Sequence, residues 1–212
     1  MPPAAIQSHF RPGMLSANWR VPDWNSVMNM LRRLATLLIL ATAQALAAPA
    51  AEPPLGGDFT LRTPRGAPFS LASQRGKVVL LYFGFTYCPE MCPTELLQFQ
   101  QLLDGLPPGK RARVQPIFVS VDPGRDTVEV LEPYIAHFGG GIQALTGGEA
   151  ELRRVAAQYG ATFRYVPTGG SYTVDHSVNT YVIDPAGKLA RVFLYGTPTS
   201  EMSRYVRSLL PD

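Results

Sequence analysis

The chain has 212 residues, 46% hydrophobic and 17% charged, which suits one folded domain with a sizeable core and some length to spare. Its formal charge of +3 arises within residues 1–47, where four arginines meet one aspartate; the remaining fifteen basic and fifteen acidic residues cancel. A neutral body removes the compositional support for nucleic-acid binding, and there is neither an internal repeat nor a glycine-rich phosphate loop.

Residues 1–27 carry no usable pattern. Residues 30–50 have the parts of a secretory signal: Arg32 and Arg33, an apolar run over 34–41, then Ala45-Leu46-Ala47 with small residues where a signal peptidase reads. The positive pair lies far from Met1, which points to Met28 or Met30 as the start. Residues 34–51 also lack charge for eighteen positions, near the lower limit for a span, so a retained anchor is the alternative. Residues 1–54 are thus expected to be leader and flexible linker, and 55–212 one domain.

Within that domain, residues 59–61 and the stretch around Pro68-Phe69 predict a short hairpin. Residues 78–85 form an apolar, branched and aromatic run suited to a buried strand. Helical spacing follows over 94–103, and Gly105 with Pro107-Pro108 ends it. Residues 113–121 predict a second buried strand, with Pro116 as a missing ladder donor. A helix over 127–137 would take Asp126 as its N-cap, and one running to Tyr159 would take Thr146 with Glu149 as a capping box. Residues 160–175 are aromatic and glycine-rich, without an assigned element beyond a strand ending at His176. Strands over 178–183 and 189–194 flank a tight Asp-Pro-Ala-Gly turn and predict an antiparallel hairpin before a last helix over 200–210. The ordering implies an α/β domain with a mixed sheet flanked by helices.

Both cysteines of the chain, Cys88 and Cys92, lie where the first buried strand meets its helix. A bridge between them would close too small a loop to staple a fold by chain entropy, so a reversible or metal-binding pair is the better reading. A helix N-terminus lowers thiol pKa through its unpaired N–H groups and dipole. Of the three histidines, His9 lies in the unpatterned front and His137 near a helix end. His176 stands between Asp175 and Ser177, polar neighbours able to orient an imidazole. Two thiolates and one imidazole suit Cu(I) or Cu(II), with Zn(II) possible on softness, and an open set of three suits a metal that is handed on.

Three segments carry a resemblance: Gly84-Phe85-Thr86-Tyr87-Cys88-Pro89-Glu90-Met91-Cys92-Pro93; Val121-Asp122-Pro123 with Arg125-Asp126-Thr127; and Val174-Asp175-His176-Ser177. On these the chain resembles the SCO/SenC family, copper-binding proteins of the thioredoxin-like fold that assist assembly of the binuclear copper centre of cytochrome c oxidase. The resemblance implies a thioredoxin-like fold, Cys88, Cys92 and His176 as copper ligands, and Asp122 in a turn shaping the site or partner surface. It implies delivery of copper to the oxidase subunit that carries the binuclear site, with a further periplasmic copper chaperone or a thiol reductase as other partners. Glu90 departs from the aspartate of many members, and Met91 reads as a packing or partner contact rather than a soft ligand. The rival readings are a thiol–disulfide reductase using Cys88 and Cys92, and a copper or redox sensor.

Overall fold

The computed structural model describes residues 23–45, 54–139 and 141–210. The chain divides into two units, Met1–Glu52 and Pro53–Asp212. In the first, the described element is helix α1 (Trp24–Ala45). Among the described residues no helix is long and apolar enough to cross a membrane. His9 and residues 46–53, with much of the expected cleavage region and linker, lie outside the described residues.

The second unit begins with β1 (Thr60–Arg62), β2 (Pro68–Ser70), a 3-10 turn (Leu71–Gln74), β3 (Val78–Gly84), α2 (Met91–Asp104), α3 (Pro108–Arg111) and β4 (Val114–Ser120). It continues through α4 (Val128–Ala136), β5 (Gln143–Leu145), α5 (Glu149–Gln158), β6 (Phe163–Thr168), β7 (Ser171–His176), β8 (Thr180–Ile183), β9 (Leu189–Phe193) and α6 (Thr199–Leu209). Five strands form one mixed sheet in the order β5-β4-β3-β8-β9, with β3, β4 and β5 parallel and β8 and β9 antiparallel to their neighbours. Hairpins β1–β2 and β6–β7 are separate two-stranded sheets. With helices flanking the sheet, this is a thioredoxin-like α/β fold with the expected N-terminal and C-terminal antiparallel strand pairs.

All seven residues of β3 are buried, as an uninterrupted apolar run requires of a central strand. Pro116 sits inside β4, between β3 and β5. Strand β5 pairs only with Ile117, Phe118 and Val119, so the proline takes no rung from it. Beside it the Gln115 side chain donates from Nε2 to the Gly141 carbonyl at 2.8 Å.

Several expectations are corrected. Helix α2 starts at Met91, three residues earlier than the apolar spacing indicates, and the short α3 occupies the proline-rich stretch after it. Asp126 is not an N-cap; Thr127 holds that place, and the buried Asp126 carboxylate instead collects donors from inside the fold. Thr146 does not cap α5, whose N-cap is Gly148. Its backbone is held extended by paired bonds with Arg62, at 2.8 and 2.9 Å, which a capping turn could not keep. Residues 163–176 form the β6–β7 hairpin around Gly169 and Gly170, both at positive φ, the backbone a two-residue hairpin loop demands. Most of its side chains are exposed or half-buried, so no alternating apolar pattern announced it.

Helix α2 also buries an acid. Glu95 is 3% exposed and accepts a hydrogen bond from the Thr180 hydroxyl on β8. Burial pushes its carboxyl above the usual range, against the opposing effect of the Thr180 donor. A raised folded-state pKa means the folded protein holds the proton more tightly than the unfolded chain. Its contribution is therefore complete below the unfolded value of about 4.3 and is lost as pH rises through the folded value. Glu95→Gln keeps an acceptor for Thr180 and cannot ionise. Its stability relative to the parent should rise between pH 4.5 and 8 in urea titrations; a pH-independent difference would refute this account.

Candidate metal centre

Strand β3 stops at Gly84 because the chain must turn out of the sheet, and the turn is fastened from β4. The Thr86 amide and hydroxyl both donate to Asp126, the hydroxyl at 2.6 Å, and the Ser120 hydroxyl donates to the same carboxylate at 2.6 Å. Val121 N–H closes the end of the ladder on the Gly84 carbonyl at 2.8 Å. Burial raises the Asp126 carboxyl pKa, while the Ser120 and Thr86 donors pull the other way. The turn delivers Cys88 just ahead of α2 and Cys92 within its first turn. Pro93 follows in that turn, where the missing N–H removes no intrahelical bond.

The geometry at this helix start is specific. No side chain caps α2 in the usual way; the Cys88 sulfur accepts from the Cys92 amide at 3.4 Å and fills the place of a capping oxygen. Cys92 Sγ lies 3.7 Å from His176 Nε2, and the Tyr82 hydroxyl approaches it at 3.8 Å. The ligand atoms of Cys88, Cys92 and His176 all lie within 4.8 Å of one another, a group able to hold a metal ion. Both cysteines are free and buried, and His176 is half-buried.

The histidine arrives there by topology. Strand β8 runs antiparallel to β3 with Thr180 opposite Tyr82, so the residues just before β8 lie beside those just after β3. Hairpin β6–β7 ends at His176 on that approach. Its Nδ1 is 3.0 Å from the Ser177 carbonyl. A carbonyl only accepts, so Nδ1 carries the proton and the Nε2 lone pair faces the sulfurs, the tautomer a metal ligand needs. The rings of Phe85 and Tyr82 meet the imidazole edge-on at 5.6 and 6.1 Å and hold its plane.

The two thiols are electrostatically unlike. Hydrogen bonding from Cys92 holds the Cys88 thiol well below the ordinary range despite its burial, with the amides of Cys92 and Glu90 adding to the effect. Cys92 is driven the opposite way by its bond to Cys88 and by burial. Tyr82 also rises, chiefly through burial and then through Cys92, and remains a hydroxyl donor. The site thus favours the thiolate at Cys88 and the protonated thiol at Cys92 behind it.

A family model described as SCO1/SenC matches residues 47–211. The chain belongs to the SCO1/SenC family. Among its relatives, the mitochondrial protein SCO2 of Saccharomyces cerevisiae is 39% identical over 137 residues, which is 63% of this chain and 46% of the yeast protein. The chain therefore spans about half the length of that relative. The structure of Bradyrhizobium japonicum ScoI with copper bound superimposes with a TM-score of 0.67 at 32% identity, covering 74% of this chain and 99% of that one. The structure of BsSco, described as a member of the Sco family of cytochrome c oxidase assembly proteins in which a disulfide switch was identified, superimposes at 0.59 with 26% identity, covering 74% and 96%.

The structure brings Cys88, Cys92 and His176 together; His137 is the C-cap residue of α4, with its ring against Phe138. Glu90 is the exposed N-cap residue of α2, and Met91, the first helical residue, is 37% exposed. Asp122 is fully buried and paired to Arg125. Sequence reasoning missed Tyr82 and Gly84. A tyrosine inside a buried apolar run was the available signal, because its hydroxyl must find a partner. Gly84 matters through space. A Cβ there would stand 2.8 Å from Cys92 Sγ and 2.8 Å from the Phe118 ring.

Two outcomes follow from this geometry. Gly84→Ala should displace the Cys92 sulfur and destabilise the fold by about 1–3 kcal/mol, the usual penalty of overpacking. Thermal unfolding and metal titration together check it, and unchanged behaviour in both would refute the close approach. In the reduced, metal-free protein, iodoacetamide should alkylate Cys88 with a pH profile that levels off below the range of a free thiol. Cys92 should react only at more alkaline pH, and peptide mapping of the labelled sites would expose a shared, ordinary profile if the assignment is wrong.

Proposed function

We propose that this protein is a copper chaperone that binds copper through Cys88, Cys92 and His176 and delivers it toward the binuclear copper centre of cytochrome c oxidase. One observation carries the reading: a thiol pair and an imidazole whose Nε2 lone pair faces it converge with no fourth His, Cys, Asp or Glu in the group, among the described residues. Two sulfurs and one nitrogen are a donor set suited to Cu(I) and adequate for Cu(II), whereas structural zinc takes four protein ligands. Family membership and the copper held by the B. japonicum relative support the metal's identity.

Copper is cargo here, exchanged between ligand sets. Loading needs both sulfurs deprotonated; Cys88 supplies a thiolate already favoured at the helix start, and Cys92 must lose its proton as the metal enters. Fewer than four protein donors leave room for an acceptor's ligand to join before one of these leaves. In this reading residues 55–212 form the copper-binding domain in the periplasm, and residues 1–54 lead it there as a cleaved signal or a tether. The acceptor is the oxidase subunit that bears the copper site, with another copper chaperone or a thiol reductase loading or reducing the protein.

The unlike thiols favour a second activity on the same residues. A stabilised Cys88 thiolate next to a buried protonated Cys92 is the asymmetry of an attacking and a resolving thiol, so thiol–disulfide exchange with a target's cysteines accompanies the chaperone role. The disulfide switch described for BsSco supports it.

His176→Ala separates the two. It should weaken Cu(II) binding roughly tenfold or more, at least about 1.4 kcal/mol, while Cu(I) binding and disulfide exchange are largely kept, because two thiolates still suit Cu(I). Anaerobic competition titrations in both oxidation states provide the check, and equal losses for Cu(I) and Cu(II) would count against the assignment.

A further inference from the structure

The histidine and the cysteines reach the site on different pieces of chain, and one side chain spans the pieces. Arg125 lies in the turn after β4. Its Nε donates to the buried Asp122 carboxylate at 2.6 Å and its Nη1 to the Tyr172 carbonyl at 2.7 Å. The Tyr172 hydroxyl returns a bond to the other oxygen of Asp122 at 2.7 Å, closing a ring of three residues. Arg125 is packed between aromatic faces, 3.8 Å from the ring centroid of Tyr172, 4.9 Å from that of Tyr87 and 5.9 Å from that of Phe85. Tyr87 and Phe85 belong to the cysteine turn. Tyr172 belongs to β7, the strand that ends in His176, and Phe85 also touches the His176 ring.

Among the described residues, hairpin β6–β7 shares no ladder with the main sheet, so its position rests on side chains. Strand β6 is tied by the Tyr165 hydroxyl to the Val121 carbonyl at 3.1 Å and by Arg153 to the Phe163 carbonyl at 2.9 Å. Strand β7 is tied through Tyr172 to Asp122 and Arg125. The Arg125 Nη2 is buried with no hydrogen-bond partner among the described residues, so the grip on β7 depends on Nη1 and on stacking.

Resting on the copper reading above, we infer that Arg125 is a positioning residue of the metal centre: it registers the strand carrying His176 against the turn carrying Cys88, and so sets how far the imidazole participates as a ligand. A planar guanidinium can bond to Asp122 and the Tyr172 carbonyl while stacked on the tyrosine. A lysine ammonium keeps the charge beside Asp122 but cannot meet all three demands at once. The Arg125 link acts chiefly on the nitrogen ligand, because the turn carrying the sulfur pair is also held by Asp126 and by the start of α2.

The experiment is a double-mutant cycle on the full chain, measuring Cu(II) and Cu(I) affinity for the parent, Arg125→Lys, His176→Ala and the double variant. Arg125→Lys is expected to weaken Cu(II) about tenfold, and by no more than His176→Ala does, with Cu(I) affinity nearly unchanged and weaker nitrogen coupling in the Cu(II) spin-resonance spectrum. In the His176→Ala background the same substitution should add no further loss. An equal loss in both backgrounds, or none in the parent, overturns the inference while the copper reading stands. A His176→Ala variant that keeps full Cu(II) affinity overturns the ligand reading and this inference with it. Should Arg125→Lys fail to fold, Tyr172→Phe, which removes only the hydroxyl bonded to Asp122, takes its place in the cycle with the same pattern and a smaller loss.

Discussion

Cys92 Sγ rests against the main chain of β3 because Gly84 puts no side chain between them. A Cβ at that position would stand 2.8 Å from the sulfur. That contact draws the first turn of α2 down onto the end of the sheet, and the other distances of the site follow from it. The Cys92 amide then points at Cys88, Tyr82 of β3 lies within reach of the Cys92 sulfur, and the residues preceding β8 pass close enough for His176 to meet it. A helix start supplies unpaired N–H groups wherever it occurs. Here the donor at 3.4 Å is aimed at a sulfur, and the turn that carries Cys88 is tied through Thr86 to Asp126.

That turn and its neighbour are held by buried acidic side chains. Asp126 holds the turn with three donors, and Asp122 holds Arg125 and Tyr172. Buried carboxylates are costly unless donors surround them, which is why each is met by several. The sulfur side and the nitrogen side of the site are held in different ways. The thiols sit on a helix packed against the central sheet, whereas the imidazole sits at the end of a hairpin held by side-chain contacts.

Local periodicity revealed much of the frame. The strand over 78–85, the helix behind the cysteines, the second strand and the closing hairpin all appear close to their expected places, because each buries a long apolar run or a clear helical stripe. The misses have a common cause. Asp126 and Thr146 look like helix caps in sequence, since capping preferences are local statements, yet Asp126 is claimed by Thr86 and Ser120 and Thr146 by a bridge to Arg62. The β6–β7 hairpin escaped because a two-stranded sheet with mostly exposed side chains has no apolar alternation to show. Tyr82 and Gly84 lay in plain view within a correctly read strand, but nothing local states that a sulfur will lie against them.

The sequence by itself determined that a buried strand hands two cysteines to a helix start, and that a histidine with polar neighbours precedes a second strand. It also carried the three motifs of the SCO1/SenC family, since motif and periodicity are properties of neighbouring residues. Only the tertiary structure decided that Cys92 and His176, 84 positions apart, stand 3.7 Å from each other. It likewise decided that Arg125 joins their two segments. Those distances depend on which strands lie side by side and in which direction, and with β8 antiparallel to β3 the start of one meets the end of the other. Pairing of that kind is set by the packing of the whole core.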